Sequence, residues 1–243
     1  MKNLVGVVQA RMGSQRLPGK VLHRLAGRTV LDWVVSAAHS ADVLDDLVVA
    51  TTTEASDDPV VAECRELGVD VYRGPVDDVL SRFVGAIADR GAGGVARFTA
   101  DCPLLDPAII AAVAGAWTAV PWLDYVSTAL PRSVPRGMDV EIVRADVLRE
   151  VAAVATGYHR THVTSAVYTA PDRYRLLGLT FQPDTSDLRL TLDTADDLAL
   201  LTAVVAAFDG QRPSLAEAAA YLRANPGVAE LNRHVPQKRL EAG

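Results

Sequence analysis

Lysine is almost missing from this 243-residue sequence: of 24 cationic side chains only Lys2, Lys20 and Lys238 are lysines, so arginine is the default positive charge. Lys20 stands out, because the other two lie near the termini. Cysteine is as scarce. Cys64 and Cys102 are too few for a disulfide framework. Positive charge is in deficit overall, with a net charge of −6. That argues against a nucleic-acid partner, whose backbone is bound by clustered Lys and Arg that release counterions. Any cationic site must therefore be local. The longest apolar stretch, Ala108 to Leu123, is interrupted by Gly115, Thr118 and Pro121. It falls short of the roughly 20 continuous apolar residues a bilayer requires, so no membrane partner is expected. No cationic segment followed by an apolar one opens the sequence. With the scarce cysteines, this leads to the expectation of a cytoplasmic protein. What is present, 49% hydrophobic and 22% charged side chains, suits an ordinary globular chain. A single domain over residues 1–243 is expected.

Short β-branched runs alternate with helical patterns through the first half. Strands are expected at Leu4–Val8, Leu47–Thr51, Val69–Tyr72 and Val95–Thr99, and helices at Val30–His39, Pro59–Leu67, Val79–Asp89 and Pro107–Trp117. This is the rhythm of βα units on a largely parallel sheet, hence an α/β fold. Gly68 and Gly91 fall where helix C-caps belong, and Thr29 and Asp57 where N-caps do. Between residues 124 and 182 the pattern becomes a strand-rich insertion. Strands are expected there at Tyr125–Thr128, Met138–Val143 and Tyr174–Phe181, with helices at Asp146–Ala155 and Arg160–Tyr168. Such insertions cover a site or pair subunits. The rhythm resumes with strand Arg189–Leu192 and helix Ala195–Phe208, where Thr194 and Asp197 make a capping box. A last helix, Leu215–Ala224, precedes a polar, frayed tail.

The loop after Val8 carries the chemistry. In an open parallel sheet, ligands bind beyond the carboxyl ends of the strands, where the first βα connection lies. This one holds Arg11, Arg16 and Lys20 together with Gly13 and Gly19. Glycines let backbone N–H groups approach phosphate oxygens while the cations neutralise them, so three cations within ten residues of an acidic chain point to a polyphosphate. Five residues separate the two glycines and Val21 follows Lys20, which excludes the P-loop. The dinucleotide G-x-G-x-x-G is absent too. The plainer alternative is a basic surface loop.

The run Val8–Leu22, V-Q-A-R-M-G-S-Q-R-L-P-G-K-V-L, resembles the signature of the cytidylyltransferases that activate sugar acids, above all the spore coat polysaccharide biosynthesis branch. The resemblance continues in order through Arg73-Gly74, Asp78-Val79-Leu80-Ser81-Arg82-Phe83, Thr99-Ala100-Asp101-Cys102-Pro103-Leu104, Arg136-Gly137-Met138-Asp139-Val140-Glu141, His162-Val163-Thr164 and Arg189-Leu190-Thr191-Leu192-Asp193-Thr194. It implies a Rossmann-like nucleotidyltransferase fold, CTP as the nucleotide, Mg2+ as cofactor and a homodimer. It also implies a nucleotide site at Gln9, Ala10, Arg11, Gly13, Ser14, Arg16, Lys20, Arg73 and Thr99, with Arg11 and Lys20 acting on the phosphates.

Asp101 and Asp193 each end an expected strand and so can face one crevice. Magnesium takes one or two carboxylates plus phosphate oxygens and water, which this pair beside a triphosphate would supply. By resemblance they are the metal ligands. The plainer alternative has Asp101 fixing the turn before Pro103 and Asp193 capping a helix. Asp139 and Glu141 alternate along an expected strand, where they would bind the acceptor or a second metal, or form a solvated face. Arg136, Arg160 and His162 could receive an anionic acceptor. His159 and His162 lack a third zinc ligand at suitable spacing, and Cys102 lacks a paired histidine.

The reaction implied is in-line attack by an acceptor oxygen on the α-phosphorus of CTP, with release of pyrophosphate. Residues 99–103 depart from the Gln-Gly-Asp-Glu-Pro pattern of the sugar-acid enzymes. The acceptor is left open between a sugar acid and a phosphonate such as phosphonoformate. Two other readings remain: a sugar-phosphate nucleotidyltransferase using UTP or GTP, and a non-catalytic nucleotide-binding module.

Overall fold

The computed structural model describes residues 3–237; Lys2, Lys238 and the end of the polar tail lie outside them. The elements of the first half are β1 (Leu4–Gln9), β2 (Arg24–Leu25), β3 (Arg28–Thr29), α1 (Val30–Ser40), β4 (Asp46–Thr52), α2 (Asp58–Glu66), β5 (Asp70–Gly74), α3 (Val79–Ala86), β6 (Gly94–Thr99) and α4 (Pro107–Ala119). Then come β7 (Tyr125–Ser127), β8 (Glu141–Arg144), α5 (Ala145–Val154), α6 (Ser165–Tyr168), β9 (Leu176–Gly178), α7 (Ala195–Ala207), α8 (Leu215–Ala224) and α9 (Pro226–Ala229).

A seven-stranded sheet runs in the order β5-β4-β1-β6-β8-β7-β9. β5, β4, β1 and β6 are mutually parallel, β8 is antiparallel to both its neighbours, and β9 is parallel to β7. The fold is α/β, as the alternation predicts. Both faces of β1 are covered. Leu4 and Val8 enter the core built with α1, α4, α7 and α8, while Val5 and Val7 enter the one built with α3 and α5. Burying each such side chain contributes about 1.5–3 kcal/mol, more than any intrinsic strand preference. Packing therefore holds the sheet.

The chain winds outward from β1 to β4 and β5, then returns across β1 to β6. This reversal opens a crevice beyond the carboxyl ends of β1 and β6, the switch point at which such sheets bind ligands. The segment 124–182 supplies β8, β7 and β9 to the same sheet.

Several expected elements take another form. α3 stops at Ala86, where Arg90 Nε donates to the Ala86 carbonyl in place of the next backbone N–H. Strand Met138–Val143 begins at Glu141, because the Thr128 hydroxyl substitutes for the ladder by donating to Met138 O and accepting from Val140 N. Tyr174–Phe181 shrinks to three residues because its neighbour β7 is only three long. Helix Arg160–Tyr168 breaks into a 3-10 turn at Gly157–Arg160 and the one-turn α6, separated by buried Val163 at φ +32°. Residues 189–192 form no strand, since their partners are two unrelated segments: Leu190 N donates to Arg136 O and Leu192 N to Asp101 O.

Gly137 makes that close approach. Its φ is +102°, and a Cβ there would lie 2.5 Å from both C and O of Leu190. Gly137→Ala should lower stability by at least about 1–3 kcal/mol, the usual cost of a forced backbone conformation. Urea unfolding measures it, and an unchanged midpoint would show that the 136–139 segment can yield.

Candidate active site

Three segments distant in sequence meet at the switch point. β1 and β6 end at Gln9 and Thr99, and the opening loop folds over them. The Met12 carbonyl accepts the N–H groups of Ser14 and Gly19 at 2.8 and 3.0 Å, and Gly19 turns the chain at φ +67°. Lys20 follows and points into the crevice. Its Nζ lies 2.6 Å from Asp101 Oδ2 and 2.8 Å from Asp193 Oδ1.

The two aspartates are tied together behind that contact. Asp101 O accepts Leu192 N at 2.7 Å and the Thr191 hydroxyl at 3.1 Å. Arg16, on the loop, reaches Asp193 Oδ2 at 3.0 Å, and Arg189 reaches the same oxygen at 2.8 Å. Thr99 Oγ1 sits 3.1 Å from Cys102 Sγ. Arg16, Lys20, Thr99, Asp101 and Asp193 are thus brought into one cluster.

Burial opposes the charge on Lys20, but the carboxylates of Asp101 and Asp193 outweigh it and hold the pKa above the ordinary lysine value. Burial also pushes Asp101 upward; Lys20 more than reverses this and lowers the carboxyl to about 2. At neutral pH Lys20 is therefore an ammonium and Asp101 a carboxylate. Burial raises the Cys102 thiol well above its usual value, so it is protonated and a poor nucleophile.

The other expected residues are placed as follows. Arg11 is exposed at the start of the loop, and among the described residues its side chain has no hydrogen bond or ion pair. Ala10 N donates to Ala50 O, extending the β1–β4 ladder, and exposed Gly13 leads the turn. Gln9 accepts from Arg97 Nη2 at 3.1 Å. Arginine only donates, so the amide oxygen faces inward and the NH2 is left for other partners.

Arg73 braces the loop after β4 by donating to Thr52 O, Glu54 O and Asp58 Oδ1 at 2.7–2.8 Å. Arg160 bridges Ala152 O and Asp78 Oδ2. His162 lies against Tyr158, with ring centroids 6.4 Å apart. Arg136 lines a cavity of about 280 Å³ with Arg189, and among the described residues its guanidinium has no hydrogen bond or ion pair.

Asp139 and Glu141 are not strand neighbours on one face, because β8 begins only at Glu141. Asp139 pairs with Arg132 at 2.5 Å. Glu141 is buried, with Oε1 taken by Arg97 at 2.5 Å and Oε2 by the hydroxyls of Tyr125 and Thr164. Its lone pairs are directed at these donors, leaving it a structural hub. His159 and His162 do not share a helix, and His159 Nδ1 lies 2.8 Å from Ser165 Oγ.

One supporting residue has, in the sequence, only the position of a helix cap. Asp57 precedes α2, but its side chain makes no cap bond. It is 1% exposed and accepts Met12 N at 2.7 Å on Oδ1, with Thr51 Oγ1, Thr52 N and Thr52 Oγ1 on Oδ2. It anchors the loop to the end of β4. An aspartate accepts backbone N–H bonds on both oxygens, whereas an asparagine must turn its NH2 toward one of them. Asp57→Asn should speed amide exchange across residues 11–20 by about tenfold, the factor equivalent to ~1.4 kcal/mol. Unchanged exchange there would refute the anchor.

The profile of the family described as cytidylyltransferase matches residues 5–187. The spore coat polysaccharide biosynthesis protein SpsF of Bacillus subtilis is 33% identical over 94% of this chain and 98% of its own. A cytidylyltransferase structure from Leptospira borgpetersenii superposes with a TM-score of 0.90 at 25% identity, covering 98% of this chain and 100% of that one. A CMP-2-keto-3-deoxy-manno-octonic acid synthetase complexed with CTP shares the fold at TM-score 0.64 and 18% identity, over 85% of this chain and 99% of that one. With an ammonium and two carboxylates gathered at the switch point of this sheet, the chain belongs to the cytidylyltransferase family and is a CTP-dependent nucleotidyltransferase.

Proposed function

We propose that the protein transfers CMP from CTP to a small anionic acceptor and releases pyrophosphate. The observation that carries this reading is the Lys20 ammonium shared by Asp101 and Asp193 under a basic loop. An acceptor oxygen forms a bond to the α-phosphorus, and the bond from that phosphorus to the oxygen bridging the α- and β-phosphates breaks in line. The charge that develops on the leaving pyrophosphate falls to Arg11, Arg16 and Lys20. Arg11 has no competing acid among the described residues; Arg16 and Lys20 would exchange carboxylate for phosphate oxygens.

Asp101 and Asp193 would hold a divalent metal of the magnesium class. The donor set fits, because two hard oxygens already converge on one cationic centre, the ammonium. When bound, such an ion supplies Lewis-acid neutralisation of phosphate charge. Among the described residues no group of three or more His, Cys, Asp and Glu is placed to hold a metal, so phosphate and water oxygens would complete the shell.

For the acceptor, Arg136 offers the cation, since among the described residues its guanidinium makes no hydrogen bond or ion pair and Asp139 acts on it only at longer range. A sugar acid is the acceptor class we favour, with a phosphonate as the alternative. Arg160 stands against α3 and α5, which cover the other face of the sheet from the α7 and α8 residues around Arg136, with His162 two residues on. Pyrophosphate release with CTP, UTP, GTP and ATP tests the reading: CTP should exceed the others by at least tenfold. A preference for UTP or GTP would replace it with a sugar-phosphate enzyme, and tight CTP binding without turnover on any acceptor with a binding module. Lys20→Ala should lower turnover by about 10²–10³, the effect of removing one transition-state donor, whereas a loss of only a few-fold would remove Lys20 from the chemistry.

A homodimer through residues 124–182 is also proposed. It is supported by Trp122, 57% exposed at the entrance of that segment, and by β9, an edge strand paired on one side only. Sedimentation should give twice 25.8 kDa; a monomer would overturn it.

A further inference from the structure

The two oxygens of Asp193 face different partners. Among the described residues Oδ1 meets Lys20 alone, at 2.8 Å. Oδ2 takes two cations, Arg16 at 3.0 Å and Arg189 at 2.8 Å. Arg16 belongs to the exposed loop, so it moves whenever the loop moves. Arg189 does not. It is 8% exposed and gripped from behind by Asp197, which is fully buried and receives Arg189 Nε at 2.8 Å and Nη2 at 3.1 Å.

Asp197 holds more than the arginine. It also accepts the backbone N–H groups of Asp193 and Thr194, at 2.9 and 3.0 Å, and the Asn232 amide at 2.9 Å. Asn232, 2% exposed, donates in addition to Arg189 O at 3.2 Å. One buried carboxylate therefore governs both the backbone of Asp193 and, through Arg189, its side chain. Arg189, Asp193, Asp197 and Asn232 all lie beyond the 5–187 segment that the family profile matches.

Burying an arginine–aspartate pair carries a desolvation penalty that apolar residues would avoid. Such a pair is to be expected where a carboxylate must be held in one orientation, because a ligand's outer hydrogen bonds set its geometry and affinity. We propose that Arg189, fixed by Asp197 and Asn232, is a positioning residue. It clamps Oδ2 of Asp193 so that Oδ1 turns toward Asp101 and serves the divalent metal. This rests on the metal reading of Asp101 and Asp193 proposed above.

The test is Mn2+ binding to the full chain with saturating CTP and no acceptor, followed by water-proton relaxation. CTP affinity without metal and thermal unfolding are recorded on the same samples. Arg189→Met should raise the Mn2+ dissociation constant by about 10–100-fold, the usual effect of losing an outer-shell partner. Arg189→Lys, which keeps the charge but not the fork, should recover only part of that affinity. Metal-free CTP affinity should stay within threefold in both.

Arg173→Met, which breaks the exposed pair with Glu150, should change nothing. If Arg189→Met binds Mn2+ as tightly as wild type, or more tightly, the clamp is overturned and Arg189 only neutralises charge. If Arg189→Met fails to fold, Asp197→Asn carries the test: weaker Mn2+ binding supports the clamp and unchanged binding overturns it. A wild-type chain that binds CTP but no Mn2+ would instead defeat the metal reading itself.

Discussion

The Lys20 ammonium lies within 3 Å of two carboxylates that the chain brings from 81 and 173 residues away. Charges drawn that far out of water are tolerable only when the partners are held in place. Much of the surrounding structure serves that end. The reversal of strand order at β1 and β6 opens the crevice. Asp57 pins the loop that carries Lys20 to the end of β4, and the Asp101 carbonyl ties the 190s segment alongside.

A cation held between two carboxylates, with Arg11 on the same loop making no ion pair among the described residues, has the charges that the proposed reading assigns to a highly charged ligand. Phosphate oxygens can replace carboxylate oxygens around Arg16 and Lys20 without stranding either cation. A divalent ion can take up the carboxylate oxygens so released. On the proposed reading, these internal ion pairs use the same attractions that a nucleotide and its metal would use.

Much of this was legible in the residues. Apolar runs in the first half marked strands buried on both faces, and Thr29 and Thr194 capped helices through local rules. The loop declared itself through glycine, arginine and a lone central lysine. What sequence did not show depends on partners distant along the chain. Residues 189–192 have the composition of a strand, yet two separate neighbours split their ladder. Glu141 looks like an available acid until Arg97, Tyr125 and Thr164 arrive from other elements. Asp57 has the position of a cap, but Met12 takes its oxygen. No periodicity announces that Arg189 joins Asp193 to Asp197, since that bond depends on the turn between them.

The central claim is that Asp101 and Asp193 form one cation-binding centre at the nucleotide phosphates. Anomalous scattering from Mn2+ in crystals grown with CTP tests it most directly. The account predicts a peak touching one carboxylate oxygen of each aspartate and the triphosphate, with Lys20 turned toward phosphate. A peak at Asp139 or elsewhere, with Lys20 still between Asp101 and Asp193, would contradict it.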